Sequence, residues 1–251
     1  MGRYITKDEF NQILELKKIN DRDDYYNFNT IIEGERLIKQ IIDYSIPITK
    51  IFITPKKIKL LDSFSKEHLN FLFISEKQAH RLTETKNEQG IFALVNFQLK
   101  KIVRVNRVIY LNNIQDPGNV GTIIRTASAF NINGIILDEQ CCDIANPKVI
   151  RASLGAISDV PFLKVKTEWL KTRKELFIYS NPNTGTPLQN FNFPLENFIV
   201  FIGSEANGIS NDIKQFEHQD IFIPTSGKMQ SLNAAIATGI ILHHLFSLKN
   251  L

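Results

Sequence analysis

The sequence predicts two α/β domains in tandem, a smaller one followed by a mostly parallel sheet with helices on its faces. Three observations carry this expectation. The chain has 251 residues, long for one ordinary domain and comfortable for two, since domains cluster near roughly 100–150 residues. Short apolar runs alternate with helical periodicities along its whole length. A basic stretch, Lys100–Arg107 (KKIVRVNR), then stands before a fresh apolar strand. That stretch puts the boundary near residue 103, giving domains 1–103 and 104–251.

In the first domain, Phe10, Ile13, Leu14 and Leu16 have helical spacing within Thr6–Ile19. Thr30–Ile32 reads as strand, Glu33–Tyr44 as helix, and Ile48–Thr54, Leu69–Ile74 and Ile91–Phe97 as strands. Pro47, Pro55 and Gly90 punctuate these pieces. In the second domain, strands are expected at 108–112, 134–138, 159–165, 176–180, 198–203 and 220–224. Helices are expected at 119–131, 147–154, 167–175 and 231–248. Strands alternating with helices of about 10–15 residues imply a parallel sheet. Ligands of such sheets bind in the loops at the carboxyl ends of the strands.

Composition narrows the class. With 43% hydrophobic and 22% charged residues, the chain can bury a sizeable core. A net charge of +4 permits a nucleic-acid partner without demanding one. Cys141 and Cys142 are adjacent and have no CxxC partner, so neither a disulfide framework nor a zinc site is expected. Met1–Phe10 is polar and lacks the apolar core of a signal peptide, and no run approaches the ~18–20 apolar residues of a membrane span. A soluble cytoplasmic protein is expected.

Three loops hold unusual residues. In Asn112–Thr126 a strand ends, Asp116-Pro117-Gly118 turns the chain, and Asn119 is placed to cap the next helix. Val120, Ile123, Ile124, Ala127 and Phe130 form one apolar stripe on that helix. Arg125 lies on the opposite side, facing solvent, RNA or another subunit; a solvated surface arginine is the plain alternative. In Phe201–Ser210, Gly203 and Gly208 bracket Glu205 directly after an apolar strand. The Lys-Ser/Thr of a Walker loop is missing, which argues against a nucleotide phosphate loop, and an ordinary glycine turn stays open. In Ile221–Ala237, Ser231 is placed to cap an apolar helix, rich in Ala and Gly, that should be buried. Asn233 is read one turn inside it, facing either core partners or a ligand edge.

Together these segments resemble the SpoU/TrmH family of RNA ribose methyltransferases, within the SPOUT superfamily. Its first motif is matched by Asn119, Gly121, Arg125 and Thr126; its second by Gly203, Glu205 and Gly208; its third by Ile223-Pro224, Gly227 and Ser231-Leu232-Asn233. Asn29–Gln40 (NTIIEGERLIKQ) and Glu88–Val95 (EQGIFALV) look like the family's N-terminal RNA-binding domain, of ribosomal-protein-like α/β fold. Thr225, where Met is frequent, and Ala234-Ala235, where Val-Ser is common, depart from the pattern as packing variation.

The resemblance implies a C-terminal α/β trefoil knot, a homodimer, and S-adenosylmethionine as methyl donor. It implies catalytic roles for Arg125, Asn119, Glu205, Ser231 and Asn233. Donor contacts would come from Ser180, from Asn181 in the loop Asn181–Gly185, and from Gly203, Ser204, Gly208, Ile223 and Leu232. The substrate would be a ribose 2′-hydroxyl of structured RNA. The appended N-terminal domain favours ribosomal over transfer RNA. Family proposals give the arginine at position 125 a base-like role, whereas a cationic clamp on phosphate and 2′-oxygen fits guanidinium chemistry better. No metal is expected, since a sulfonium is already electrophilic and His243-His244 are not spaced to share an ion. The competing readings are an inactive RNA-binding module, a base methyltransferase of the same superfamily and a small-molecule α/β enzyme.

Overall fold

A computed structural model describes residues 3–18, 24–64, 70–84 and 87–249. Ile19 and Leu69, the outer ends of two expected elements, lie outside the described residues. The chain divides into two compact units, Met1–Gln98 and Leu99–Leu251.

The first unit contains β1 (Arg3–Tyr4), α1 (Lys7–Lys18), β2 (Asn27–Glu33), α2 (Glu35–Asp43), β3 (Ile48–Ile53), β4 (Phe71–Phe73), α3 (Glu76–Leu82) and β5 (Ile91–Gln98). Its five strands form one mixed sheet in the order β1-β4-β3-β5-β2. β5 runs antiparallel to both β2 and β3. The two stretches that suggested a binding domain meet here. Gly34 N–H donates to the Ile91 carbonyl at 3.0 Å. The Glu33 carboxylate accepts from the Gln89 N–H at 3.1 Å and the Thr83 hydroxyl at 2.7 Å. Helix α3 was not expected from periodicity; a capping box between Ser75 and Gln78 starts it.

The second unit contains β6 (Arg107–Asn112), α4 (Pro117–Ala129), β7 (Gly134–Leu137), α5 (Pro147–Ser153), β8 (Phe162–Lys164), β9 (Leu176–Ser180), β10 (Thr186–Pro187), β11 (Phe198–Gly203), α6 (Asn211–Lys214), β12 (Gln219–Phe222) and α7 (Ala234–Lys249). All seven strands are parallel, in the order β10-β12-β9-β11-β6-β7-β8. β6 and β11 are buried on both faces, as a parallel sheet with two covered faces requires. One face centres on Phe201, whose ring lies 4.7–5.0 Å from those of Tyr110, Tyr179 and Phe177. Helices α4 and α7 pack on each other, α4 contacting β7 and α7 contacting β11.

Several expectations need correction. The domain boundary falls after Gln98, not near 103. Residues 100–102 pair with the start of β8: Phe162 N–H donates to the Lys100 carbonyl at 2.8 Å, and Ile102 N–H to the Phe162 carbonyl at 3.0 Å. The basic stretch therefore begins inside the second unit as an edge of its sheet. The helix expected at 167–175 is a 3₁₀ turn, Thr167–Thr172. The strand expected at 159–165 shrinks to Phe162–Lys164, preceded by Pro161, which has no N–H for a ladder.

The last helix starts at Ala234, not 231, and it is not buried all round. Ala234, Ala235, Thr238, Ile241 and Leu242 are buried, while Ile236 is 56% and Ile240 38% exposed. On α4, Val120, Ile123, Ile124 and Ala127 of the expected stripe are buried and Arg125 is exposed, while Phe130, the last of the stripe, is only half-buried and stands just past the helix as its C-cap. Gly121 has a packing reason. A Cβ there would lie 2.5 Å from the Ala152 Cβ and 2.7 Å from the Val149 carbonyl oxygen, so only glycine lets α4 and α5 approach this closely.

Candidate active site

The carboxyl ends of β9, β11 and β12 open into a cavity of about 910 Å³. Three loops wall it: residues 180–183 after β9, 203–209 after β11, and 223–232 between β12 and α7. Ser180, Asn181, Gly203, Ser204, Gly208, Ile223 and Leu232, all chosen from sequence, line this cavity. Glu205 and Ser231 line it too.

The loop after β11 is a closed turn. Gly208 N–H donates to the Ser204 carbonyl at 2.8 Å, and an isolated antiparallel bridge joins the same two residues. Gly208 holds φ +62°, and a Cβ on Gly203 would stand 2.2 Å from the Gly208 carbonyl carbon. Gly203 is thus required by the backbone of its own loop.

Glu205 is the junction of the site. Its Oε1 accepts from Asn119 Nδ2 at 2.5 Å, from Asn233 Nδ2 at 3.1 Å and from the Ala234 N–H at 3.1 Å. Asn233 Nδ2 also reaches Asn119 Oδ1 at 3.0 Å. Residues separated by up to 114 positions in the chain thereby share one polar cluster. The carboxylate at the first N–H of α7 also sits where a helix N-terminus favours negative charge.

Two capping assignments change. Asn119 does not cap α4; Asp116 does, accepting from Gly118 N–H at 2.7 Å. With Pro117 in the first helical position, Asn119 falls inside the first turn, and its side chain is left to bond Glu205. The Gly118 N–H, and then Lys148, hold the Asp116 carboxyl below the usual carboxylate range. Ser231 does not cap α7 either. Asn233 stands one residue before the helix, not one turn inside it, and its Oδ1 accepts from Ala235 N–H at 3.0 Å and Ile236 N–H at 3.3 Å. It is also exposed in the single chain, not buried.

Arg125 stands apart. It lies two turns along α4 from Asn119, is exposed, and makes no hydrogen bond or ion pair among the described residues. The structure therefore brings Asn119, Glu205 and Asn233 into contact, sets Ser231 on the cavity wall, and leaves Arg125 free on its helix.

Sequence reasoning missed several wall residues. Tyr179, Lys214, His218 and Asp220 line the cavity on the side of β9 and β12. His218 stacks flat on Tyr179, ring centroids 4.0 Å apart and planes at 10°, and its Nδ1 lies 2.7 Å from the Phe216 carbonyl. Burial, then the nearby Asp220 charge, pushes the Tyr179 phenol above its ordinary value. No local pattern marks His218 as part of a wall, because its partner is 39 residues upstream in a neighbouring strand.

Known proteins resemble both units of the chain. Residues 106–243 match the SpoU rRNA Methylase family, and residues 31–99 match the RNA 2'-O ribose methyltransferase substrate-binding family. The chain is similar to the 23S rRNA (guanosine(2553)-2'-O)-methyltransferase RlmP of Bacillus subtilis (strain 168), 26% identical over 245 residues, which cover 93% of this chain and 95% of that protein. It is also similar to a putative TrmH family tRNA/rRNA methyltransferase of Staphylococcus aureus (strain MSSA476), 28% identical over 246 residues, covering 87% and 96%. Among solved structures, a putative RNA methyltransferase of the TrmH family from Porphyromonas gingivalis superposes with a TM-score of 0.77 at 25% identity, over 96% of this chain and 97% of that one. The SpoU methyltransferase AviRb from Streptomyces viridochromogenes, solved in complex with the cofactor AdoMet, shares the fold with a TM-score of 0.77 at 20% identity, over 98% and 99%. With its second unit matched almost throughout, the chain belongs to the SpoU rRNA methylase family, as an RNA methyltransferase preceded by a substrate-binding unit.

Proposed function

We propose that this protein methylates a ribose 2′-hydroxyl in structured RNA, with ribosomal RNA as substrate and S-adenosylmethionine as donor, and that it works in the cytoplasm as a homodimer. The observation that carries the reading is the cavity bordered by Glu205, whose carboxylate gathers Asn119, Asn233 and the start of α7.

The donor set fits S-adenosylmethionine. The cavity's roughly 910 Å³ lies within the usual range for small-molecule sites, about 300–1,000 Å³. Its wall alternates apolar Ile202, Ile223 and Leu232, suited to a purine, with peptide groups at residues 180–183 and 203–208, suited to hydroxyl and amine groups. When bound, the donor supplies an electrophilic sulfonium methyl. The residues of the chain do the rest. Arg125 clamps the target phosphate and stabilises charge developing on the 2′-oxygen as the methyl–sulfur bond breaks; a guanidinium keeps its proton, so the 2′-hydroxyl proton leaves to solvent water and not to Arg125. Glu205 Oε1 already accepts three N–H groups, so it orients the site through Asn119 and Asn233 and does not take the substrate proton through that atom.

Three further parts of the reading have separate support. The exposed pair Ile236 and Ile240, one turn apart on α7, is an apolar stripe beside α4 that a second copy would cover, completing the surroundings of Arg125. The expected trefoil threading is favoured by the meeting of the 203–208 turn with the start of α7 inside an all-parallel sheet. Ribosomal RNA is favoured because the Bacillus subtilis relative, named for 23S rRNA, aligns along both units. A solved relative named for methylation of C/U34 on tRNA covers only 57% of this chain.

Mapping ribose methylation in total RNA from cells with and without the gene tests the proposal. One 2′-O-methyl nucleotide should disappear from ribosomal RNA in the deletion. Loss from transfer RNA instead would move the substrate, and an unchanged map of both would overturn the activity.

A further inference from the structure

Asn112 is a buried amide at the carboxyl end of β6, 3% exposed, and outside the cavity wall. Its two ends do different jobs. Nδ2 donates to Asp138 Oδ2 at 2.7 Å, and Oδ1 accepts the Ser210 N–H at 2.7 Å. In the sheet ladder Asn112 is also the register partner of Gly203. One residue thus holds both ends of the loop that carries Glu205, one end by strand pairing and the other by its side chain. Asp138 is itself fixed, with Oδ2 accepting from Asn113 N–H at 2.8 Å and Oδ1 from Gln140 N–H at 3.0 Å and Cys141 N–H at 2.9 Å.

From this we infer that Asn112 and Asp138 form a buried positioning pair that sets the Glu205 loop at the distance methyl transfer requires. The inference rests on the activity proposed above. The direction of the bonds makes it specific: position 112 must accept from an N–H on one side and donate to a carboxylate on the other, which a neutral amide does at any pH. An aspartate there can do both only while it carries a proton.

The titratable groups around position 112 are Asp138 itself, Tyr110 and Cys141 beside it, and Asp212 beyond Ser210. Burial, first of all, pushes the Tyr110 phenol and the Cys141 thiol up, so both stay neutral in the working range. In Asn112→Asp the new carboxyl therefore faces the Asp138 carboxylate in a buried site, and such pairs bind a shared proton well above the ordinary carboxylate range.

The test is the pH profile of methyl transfer by the full-length protein, Asn112→Asp divided by wild type, with S-adenosylmethionine and the RNA identified by the deletion map. The ratio should be within a few fold of one near about pH 5.5 and fall about 100-fold by about pH 8.5 as the shared proton leaves, the size expected for a misplaced site. Asn112→Asp combined with Asp138→Asn should flatten the profile, because the donor then sits on residue 138. A ratio independent of pH, in the single variant, overturns the pair. A readout on the unmodified protein covers the case of a variant that does not fold. Hydrogen exchange at the Ser210 amide should be as slow as at Ile199–Ile202 in β11, and exchange as fast as at exposed Ala206 would equally overturn it. If wild type transfers no methyl group to any RNA, the activity fails while the exchange measurement still decides the pair.

Discussion

Glu205 and Arg125 are the two charged residues that sequence placed at the centre of the chemistry, and they live in opposite surroundings. One oxygen of Glu205 receives three N–H groups from two other parts of the chain. Arg125, two turns along the helix that supplies one of those groups, touches no polar partner among the described residues. The difference separates what a single chain completes by itself from what it leaves for another molecule. On the proposed function, the cluster around Glu205, at the edge of the donor cavity, is assembled in advance, so little ordering is left for binding there. The substrate side holds a charge whose counter-ion is, on the proposed function, an RNA phosphate.

The sharpest way to break this contrast is Arg125→Ala. Methyl transfer should fall by about 10²–10³, the usual cost of removing a preorganised charge from a transition state, while donor affinity stays within a few fold. Single-turnover transfer and calorimetry with S-adenosylmethionine measure the two. Equal losses in both would mean that Arg125 belongs to the donor side after all. Gly203→Ala should act the other way round. The added Cβ meets the Gly208 backbone, so the turn must open, costing about 1–3 kcal/mol of stability and weakening donor binding before RNA is present. Urea unfolding and the same calorimetry report this, and a variant that binds normally would show that the turn tolerates widening.

The smallest effect sharpens the contrast from beneath. Asp116→Ala removes the cap that leaves Asn119 available to Glu205, costing about 0.5–2 kcal/mol. The Asp116 carboxyl is held below its ordinary value, so its contribution is present above the usual aspartate range and lost as pH falls through the lowered one. The stability gap between wild type and Asp116→Ala should therefore be full at neutral pH and close in acid. A gap that persists there would assign the effect to something other than the charge.

Much of this was legible in the chain. The buried stripe of α4, the exposed side chain at position 125 and the seven cavity-wall residues follow from strand ends, helical spacing and family motifs. What escaped has a common physical form. Asn119 and Ser231 have the residue types of caps, but the caps are Asp116 and Asn233, each accepting from an N–H two residues on, and the bond that engages Asn119 instead runs to Glu205, 86 residues away, where local spacing says nothing. The apolar composition of α7 predicts a buried helix, but composition does not say that Ile236 and Ile240 stay exposed in the single chain. Asn112 and His218 were invisible for the same reason, each being defined by a partner on another strand.

The shared carboxylate oxygen has a consequence for how this protein can change over generations. Positions 119, 205 and 233 should behave as one inherited character, because replacing any one strips bonds from the other two. Once the first is lost, a second replacement has less left to remove, so paired variants should be milder than the product of their separate effects. Drift at this centre should then proceed in joint steps, leaving surviving lineages with either all three side chains or a wholly different trio.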